Sequence, residues 1–320
     1  MLSIMKFGGS SLGDICRLRR AAAVCIRERE KGRDIALVVS AMGDTTDRLL
    51  ELARSVAPEP SARELDALLS TGECASAALM AITLESMGCP AVSLSGWQSG
   101  IFTDSRHGEA EITTLTASRL RSALARGLVP VAAGFQGIDS AGDVTTLGRG
   151  GSDTTAVALA AALRADACNI YTDVDGIFTA DPRLVPEARL LGAADTRDML
   201  RLSYAGAQVL YSGSLELSLE KGVEIRLLPA SGESGGTLVK VLPEGSRPDF
   251  AGLALRGDAV SLVGRAAAER AESLAALLRS EGFGLKELRP GPGRAVFTLP
   301  QSEALPALRL LHAAVFGKDD

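Results

Sequence analysis

Histidine is almost missing from this chain. His107 and His312 are the only two among 320 residues, too few for a histidine-rich metal centre and a poor basis for a histidine-driven nucleophilic triad. Cysteine is sparse and scattered, with five residues at positions 16, 25, 74, 89 and 168 and no CxxC spacing. An odd number of unclustered thiols fits a reducing compartment, not a disulfide framework. A basic surface is lacking too. Lys plus Arg number 34 against 39 Asp plus Glu, a formal charge of −5, which argues against a nucleic-acid grip. No apolar run reaches the roughly 18–20 residues expected of a membrane span. The opening stretch MLSIMKFGGSS has no charged region followed by an apolar one, so no secretory signal is expected. These absences point to a cytoplasmic protein.

What is present can build large cores: 46% of residues are hydrophobic, the mean hydropathy is +0.17, and the length suits two domains. Strand and helix signals alternate through the first 240 or so residues. SIMKF, DIALVVSAM, PAVSLSG, LVPVAAGFQG and ACNIYTDV read as strands. CRLRRAAAVCIRERE, DRLLELARSV, ARELDALLSTGECASAALMAITLESMG, TLTASRLRSALARG and SDTTAVALAAALRA read as helices. Such alternation predicts an α/β fold, a mainly parallel sheet between helices, with ligands beyond the carboxyl ends of the strands. Residues 231–250 are rich in Gly, Ser and Pro and place a boundary near Pro243–Arg247, giving domains 1–242 and 248–320. The tail changes rhythm. FAGLALR, AVSLVGR, FGLKEL and RAVFTLP read as strands and two apolar stretches as helices, a ββαββα order that predicts a small α+β module.

Three stretches carry chemistry. In Lys6-Phe7-Gly8-Gly9-Ser10-Ser11 a strand ends at a lysine and two glycines before a helix. Bare backbone amides and a helix N-terminus suit phosphate oxygens, though a tight turn with an exposed lysine would use the same residues. Gly148-Arg149-Gly150-Gly151-Ser152-Asp153 repeats the pattern, with Ser152 or Asp153 as the expected helix cap and the Arg149 fork suited to a carboxylate or a phosphate. Thr172-Asp173-Val174-Asp175-Gly176 closes a strand with an Asp-Gly turn whose carboxylates suit ribose hydroxyls, the adenine side or a magnesium shell, or simply a polar turn. By itself Glu73 reads as a solvated helix glutamate, His107 as a loop or packing histidine, and Trp97 as core or pocket wall.

Taken in order, KFGGSS, VVSAMGDTT, STGE, GFQG, TTLGRGGSDTTAVALAAAL and YTDVDGIFTADPR resemble the aspartate kinases of the amino acid kinase family across about residues 1–240, continuing through SYAGAQVL and GGTLV at 203–239. The resemblance implies the amino acid kinase fold followed by a ferredoxin-like ACT module. It also implies transfer of a phosphoryl group from ATP, with Mg2+, to the side-chain carboxylate of L-aspartate, opening the aspartate-family amino acid pathway. In that reading Lys6 clamps the transferring phosphate, with Gly8, Gly9 and Ser10 around it. Ser40, Thr46, Gly150 and Ser152 line the substrate site. Glu73 takes the substrate's ammonium, Arg149 takes its α-carboxylate, and Asp153 orders the centre. Thr172, Asp173, Phe178, Asp181 and Arg183 hold the nucleotide. No metal site built by the protein alone is expected.

Two features depart from the family pattern. Gln208 stands in GAQVL where many members carry a lysine near the phosphates. The tail has room for one ACT-like module instead of two, and its Gly264–Ala268 loop lacks the usual Pro-Gly, so feedback by lysine or threonine is not expected. Sheet edges in such a module commonly pair with another chain, which predicts a homodimer, or alternatively a separate regulatory subunit. Two other readings stay open from the sequence: a kinase for a related amino acid or carboxylate, and a non-catalytic sensor subunit.

Overall fold

The computed structural model describes residues 1–207, 209–232 and 235–317; Gln208 lies outside the described residues. The chain forms two compact units, Met1–Asp175 with Glu220–Gly235, and Gly176–Leu219 with Gly236–Asp320. The units interleave along the chain, whereas the sequence reading divides it once, between 242 and 248.

Up to residue 175 the strands are β1 (Leu2–Phe7), β2 (Asp34–Val39), β3 (Ala91–Leu94), β4 (Ile101–Thr103), β5 (Ile112–Leu115), β6 (Val129–Ala133), β7 (Gln136–Ile138), β8 (Val144–Thr146) and β9 (Ala167–Thr172). The helices are α1 (Ile15–Glu30), α2 (Thr45–Val56), α3 (Ala62–Ser86), α4 (Ser118–Ala125) and α5 (Gly151–Leu163). Beyond it come β10 (Ala193–Asp195), α6 (Thr196–Tyr204), α7 (Ser212–Lys221), β11 (Ile225–Pro229), β12 (Thr237–Lys240), β13 (Gly252–Arg256), β14 (Ala259–Val263), α8 (Ala267–Ser280), β15 (Glu287–Gly291), β16 (Arg294–Thr298) and α9 (Gln301–Phe316).

In the first unit, parallel strands run in the order β11-β9-β1-β2-β6-β3. β1, β2 and β6 are buried along almost their whole length, the mark of a parallel sheet covered on both faces. Alternate residues serve the two faces. Met5, Phe7, Leu37, Val39, Val131 and Ala133 share a core with Leu18, Ala22 and Cys25 of α1 and Ala77, Met80 and Leu84 of α3. The opposite face carries α5, a helix of small residues buried on nearly every side.

The sequence reading missed what covers α5. Strands β5-β4-β7-β8 form a second, four-stranded sheet against which α5 also packs. These strands are three or four residues long and partly polar, so they lack the apolar run by which strands are recognised. The stretch read as one helix from Thr114 splits into the last residues of β5 and the shorter α4. Helix α3 is long and apolar enough, by length and composition, to cross a bilayer, which departs from the sequence expectation. Half of its most apolar window is instead buried inside this fold, against β3 and β6 among others.

In the second unit β10 and β12 pair in parallel, and β13-β14-β16-β15 form an antiparallel sheet. Its apolar face packs with α8 and α9 around Leu253, Val260, Leu262, Leu274, Phe297 and Leu308, in the expected ββαββα order. Ala180 and Val185 are buried in that same core. Leu253 N–H donates to Thr179 O at 2.7 Å, Arg309 Nε to Leu184 O at 2.8 Å, and the Thr179 hydroxyl lies 2.9 Å from His312 Nε2. Burial pulls the His312 imidazole below its ordinary value, so it sits there neutral. The segment carrying Phe178, Asp181 and Arg183 is therefore built on the C-terminal core. Ending the chain at residue 247 should strip this segment of its partners, read as loss of amide-exchange protection across residues 178–189. A truncated chain that keeps that protection would contradict the assignment.

Candidate active site

The register of the parallel sheet creates the site. Phe7, Val39 and Tyr171 lie in one row across β1, β2 and β9. Gly8 and Ser40 then leave the sheet beside Thr172, the last residue of β9, about 4.8 Å apart from strand to strand. Three loops are fixed to this row by backbone bonds: Gly8 N–H to Tyr171 O at 3.3 Å, Ser40 N–H to Phe7 O at 3.1 Å and Ala230 N–H to Thr172 O at 2.7 Å. Below the row the Phe7 and Tyr171 rings stack at 4.6 Å. Gly9 is obligatory, because a Cβ there would stand 2.6 Å from Ala41 O, and Gly43 N–H donates to Gly9 O at 3.0 Å. The first two loops thus interlock through glycine backbone.

Lys6 points away from the Phe7 side of β1 and meets Asp153 on α5 at 2.6 Å. Both are buried, Lys6 at 9% and Asp153 at 6% exposure. This corrects the turn-with-exposed-lysine alternative. Asp153 sits in the first turn of α5, where its charge complements the positive end of the helix. The helix is not capped by Ser152 or Asp153 as expected. Gly150, at φ +74°, is the cap without a side-chain bond, and both residues lie inside the helix and buried. Room for Ser152 comes from Gly134, where a Cβ would fall 2.8 Å from the serine side chain.

Glu73 is not a solvated helix residue. It is 4% exposed, its Oε1 accepts the Ala41 N–H at 3.0 Å, and its Oε2 has no hydrogen-bond partner among the described residues. Burial pushes its carboxyl up to about 7. A buried carboxylate oxygen left unfilled at the exit of β2 is a ready partner for a cation. Ser40 precedes Ala41 and is half-buried, as is Thr46 in the first turn of α2.

Arg149 is exposed on the loop between β8 and α5, flanked by Gly148 at φ +68° and Gly150, and it has no ion pair among the described residues. The loop is pinned at both ends by Leu147 N–H to Phe135 O at 2.8 Å and Gly151 N–H to Gly148 O at 3.0 Å. Phe135 holds φ +70°, a conformation rare for an aromatic residue and a point of backbone strain beside the site.

Among the residues the resemblance assigns to the nucleotide, Thr172 donates to the exposed Asp173 at 3.1 Å in the first unit. In the second unit Phe178 is half-buried and bridges to Leu190, while Asp181 takes a two-pronged Arg183 guanidinium that holds its carboxyl below the usual range. Lys6, Gly8, Gly9, Ser40, Glu73, Ser152, Asp153, Thr172 and Asp173 thus share the first unit and the strand ends; Ser10 is exposed at the start of a short 3-10 turn there. Trp97 proves 49% exposed and is no core residue. His107 lies on a loop, with Nδ1 at 2.9 Å from Asp66, a buried acid that sequence reasoning did not single out. Asp66, Ser70 and Glu73, polar residues spaced four and three apart along one face of the helix, were the available signal.

A lysine, glycine-rich loops and a helix N-terminus at the carboxyl ends of a parallel sheet form an anion-binding centre suited to phosphoryl groups. The amino acid kinase family model matches residues 1–228, and the chain belongs to that family. It is 51% identical over 240 residues to an aspartokinase of Mycolicibacterium smegmatis, covering 75% of this chain and 57% of that protein. It is 45% identical over 263 residues to an aspartate kinase of Pseudomonas putida, covering 82% and 64%. The chain therefore spans well under the full length of these relatives. Among solved structures it is similar to E. coli aspartokinase III in complex with aspartate and ADP, at 26% identity and TM-score 0.72, covering 98% of this chain and 84% of the other. An aspartate kinase from Synechocystis matches at 34% identity and TM-score 0.68, covering 98% and 55%.

The raised Glu73 carboxyl makes a testable demand. An unfolded glutamate ionises near 4.5, so holding Glu73 ionised in the fold costs on the order of 3 kcal/mol above pH 7. That cost builds as pH rises from about 4.5 to about 7 and is absent below. Glu73→Gln should therefore melt several degrees above the parent at pH 8, and the gain should vanish toward pH 5. An equal gain at both pH values would show that Glu73 is not held at a raised value.

Proposed function

We propose that this chain transfers the γ-phosphoryl group of MgATP to the side-chain carboxylate of L-aspartate, forming 4-phospho-L-aspartate and ADP at the head of the aspartate-family amino acid pathway in the cytoplasm. A carboxylate oxygen attacks the γ-phosphorus, the bond to the β,γ-bridging oxygen breaks, and no proton needs to move. Positioning and charge neutralisation then carry the reaction. Lys6 holds the transferring phosphoryl group, Gly8, Gly9 and Ser10 line it, and Asp153 orients the lysine. Glu73 takes the substrate ammonium and Arg149 its α-carboxylate, with Ser40, Thr46, Gly150 and Ser152 around them. Thr172, Asp173, Phe178, Asp181 and Arg183 serve the nucleotide. The oxygen donors of Thr172 and Asp173 suit Mg2+ arriving with ATP, a hard cation that keeps several of its waters.

The observation that carries this reading is the buried Glu73 carboxylate with its unfilled oxygen, at a strand exit adjoining the one that bears Lys6. A phosphate site alone has no use for it; an amino-acid acceptor does. Aspartokinase relatives near 50% identity support the same acceptor over a related carboxylate, and the retained Lys6, Arg149, Asp153 and Asp173 weigh against a sensor subunit. In this reading 1–242 is the catalytic domain and 248–320 an ACT-like module that dimerises through a sheet edge. Three of the five amides of its Gly264–Ala268 loop are engaged by backbone, Gly264 N–H to Gly293 O, Ala266 N–H to Asp249 O and Ala267 N–H to Gly264 O, which leaves fewer for an amino-acid effector.

Incubation with MgATP, aspartate and hydroxylamine should yield aspartyl hydroxamate, and glutamate in place of aspartate should not. Arg149→Ala should raise the KM for aspartate far more than that for ATP, and the absence of hydroxamate from the parent chain would overturn the assignment. A rise confined to the ATP KM would move Arg149 to the nucleotide side.

A further inference from the structure

Asp66 is the most deeply buried acid among the described residues of the first unit, at 1% exposure, and no step of the proposed reaction uses it. It stands on α3 seven residues before Glu73. Seven residues are two helical turns, so the two carboxylates occupy one face of the helix, about 10 Å apart along its axis.

Among the described residues, the donors around Asp66 come from two places. Oδ1 accepts the Thr146 hydroxyl at 2.6 Å, and Oδ2 accepts the Thr146 N–H at 3.0 Å. Gly108 N–H is shared between both oxygens at 3.1 and 3.0 Å, and His107 Nδ1 lies 2.9 Å from Oδ2. A carboxylate accepts only, so the imidazole carries its proton on Nδ1. Thr146 ends β8, and Arg149 follows three residues later. The His107–Gly108 stretch braces that same loop. Ala110 N–H donates to Thr146 O at 2.9 Å, and Gly148 sits so close that a Cβ on it would lie 3.1 Å from Gly108 O.

We propose that Asp66 is a positioning residue for recognition of the amino-acid substrate. It ties the root of the Arg149 loop to the helix that carries Glu73, and so fixes the spacing between the partners of the substrate's α-carboxylate and α-ammonium. The inference rests on the roles given to Arg149 and Glu73 above. A buried acid that merely held the fold together would act differently: its loss would lower the active fraction, and with it kcat, and leave both KM values alone. Loosening one end of a two-point clamp misplaces the substrate and acts on the KM of that substrate.

The test is steady-state kinetics on the full chain with Asp66→Asn, Thr146→Val and Thr146→Ser. Asp66→Asn places amide donors against the Thr146 and Gly108 donors and should raise the aspartate KM by about tenfold or more, with the ATP KM within about twofold. Thr146→Val removes only the hydroxyl and should shift the same constant in the same direction by less. Thr146→Ser restores the hydroxyl and should restore the KM. If Asp66→Asn does not fold, the valine–serine contrast decides. An unchanged aspartate KM in folded Asp66→Asn and Thr146→Val, or equal rises for aspartate and ATP, would overturn the inference. Failure of the functional reading would show in the parent chain as no hydroxamate from aspartate. Failure of this inference shows only in the variants, and without turnover the same contrast is read from aspartate affinity by calorimetry.

Discussion

A lysine ammonium and an aspartate carboxylate held 2.6 Å apart beneath the end of a parallel sheet are the constraint around which the first unit is arranged. Taking two such charges out of water costs several kcal/mol each, and their attraction offsets this only in tight geometry. The geometry is supplied from both sides. β1 presents Lys6 on the face opposite Phe7, and α5 brings Asp153 down at its first turn. The close approach of that helix requires glycine at 134 and 151, where added Cβ atoms would collide with Ser152 in one case and with Leu147 and Phe135 in the other. The small sheet outside α5 completes its burial. Each of these features serves the placement of one charge pair at the mouth of the strands; in the proposed reaction the transferring phosphoryl group would compete with Asp153 for the lysine.

The second carboxylate of the site follows a different logic. Burial disfavours the charge on Glu73, which has one oxygen tied to Ala41 and the other unfilled. Such a group weakens the folded protein at neutral pH, and in the proposed function a substrate cation would meet it, a trade of stability for recognition. Helix α3 carries both this strained acid and the fully satisfied Asp66. The same helix therefore presents a carboxylate with an unpartnered oxygen and one that anchors a loop. In the second unit, the segment that holds Phe178 and Asp181 is braced by Leu253, Arg309 and His312, so residues assigned to the nucleotide depend on the C-terminal core for their shape.

The parallel sheet was legible because β1, β2, β6 and β9 are apolar runs that end in glycine or small polar residues. The ββαββα tail was legible from its change of rhythm. The four-stranded sheet over α5 was not, because strands such as Gln136–Ile138 owe their form to tertiary pairing and not to their own side chains. The lysine and arginine loops were found from glycine spacing. The burial of Glu73 was hidden because a glutamate in a helix reads as solvated until it is seen to lie on the covered side of the helix, away from the exposed Thr71 and Ala75. Asp66 was hidden for the same reason, since its donors lie 41 to 80 residues away in sequence. Trp97 failed in the opposite sense: a large apolar residue at a turn can stay on the surface.

The central claim is that the buried ammonium of Lys6 neutralises charge on a transferring phosphoryl group. The most direct measurement is kcat for Lys6→Met, a neutral side chain of similar length, with thermal melting to establish that the variant is folded. A donor aimed at developing charge contributes about 2.7–4 kcal/mol, so kcat should fall by about 10²–10³. A folded Lys6→Met protein with near-parental kcat would contradict the account.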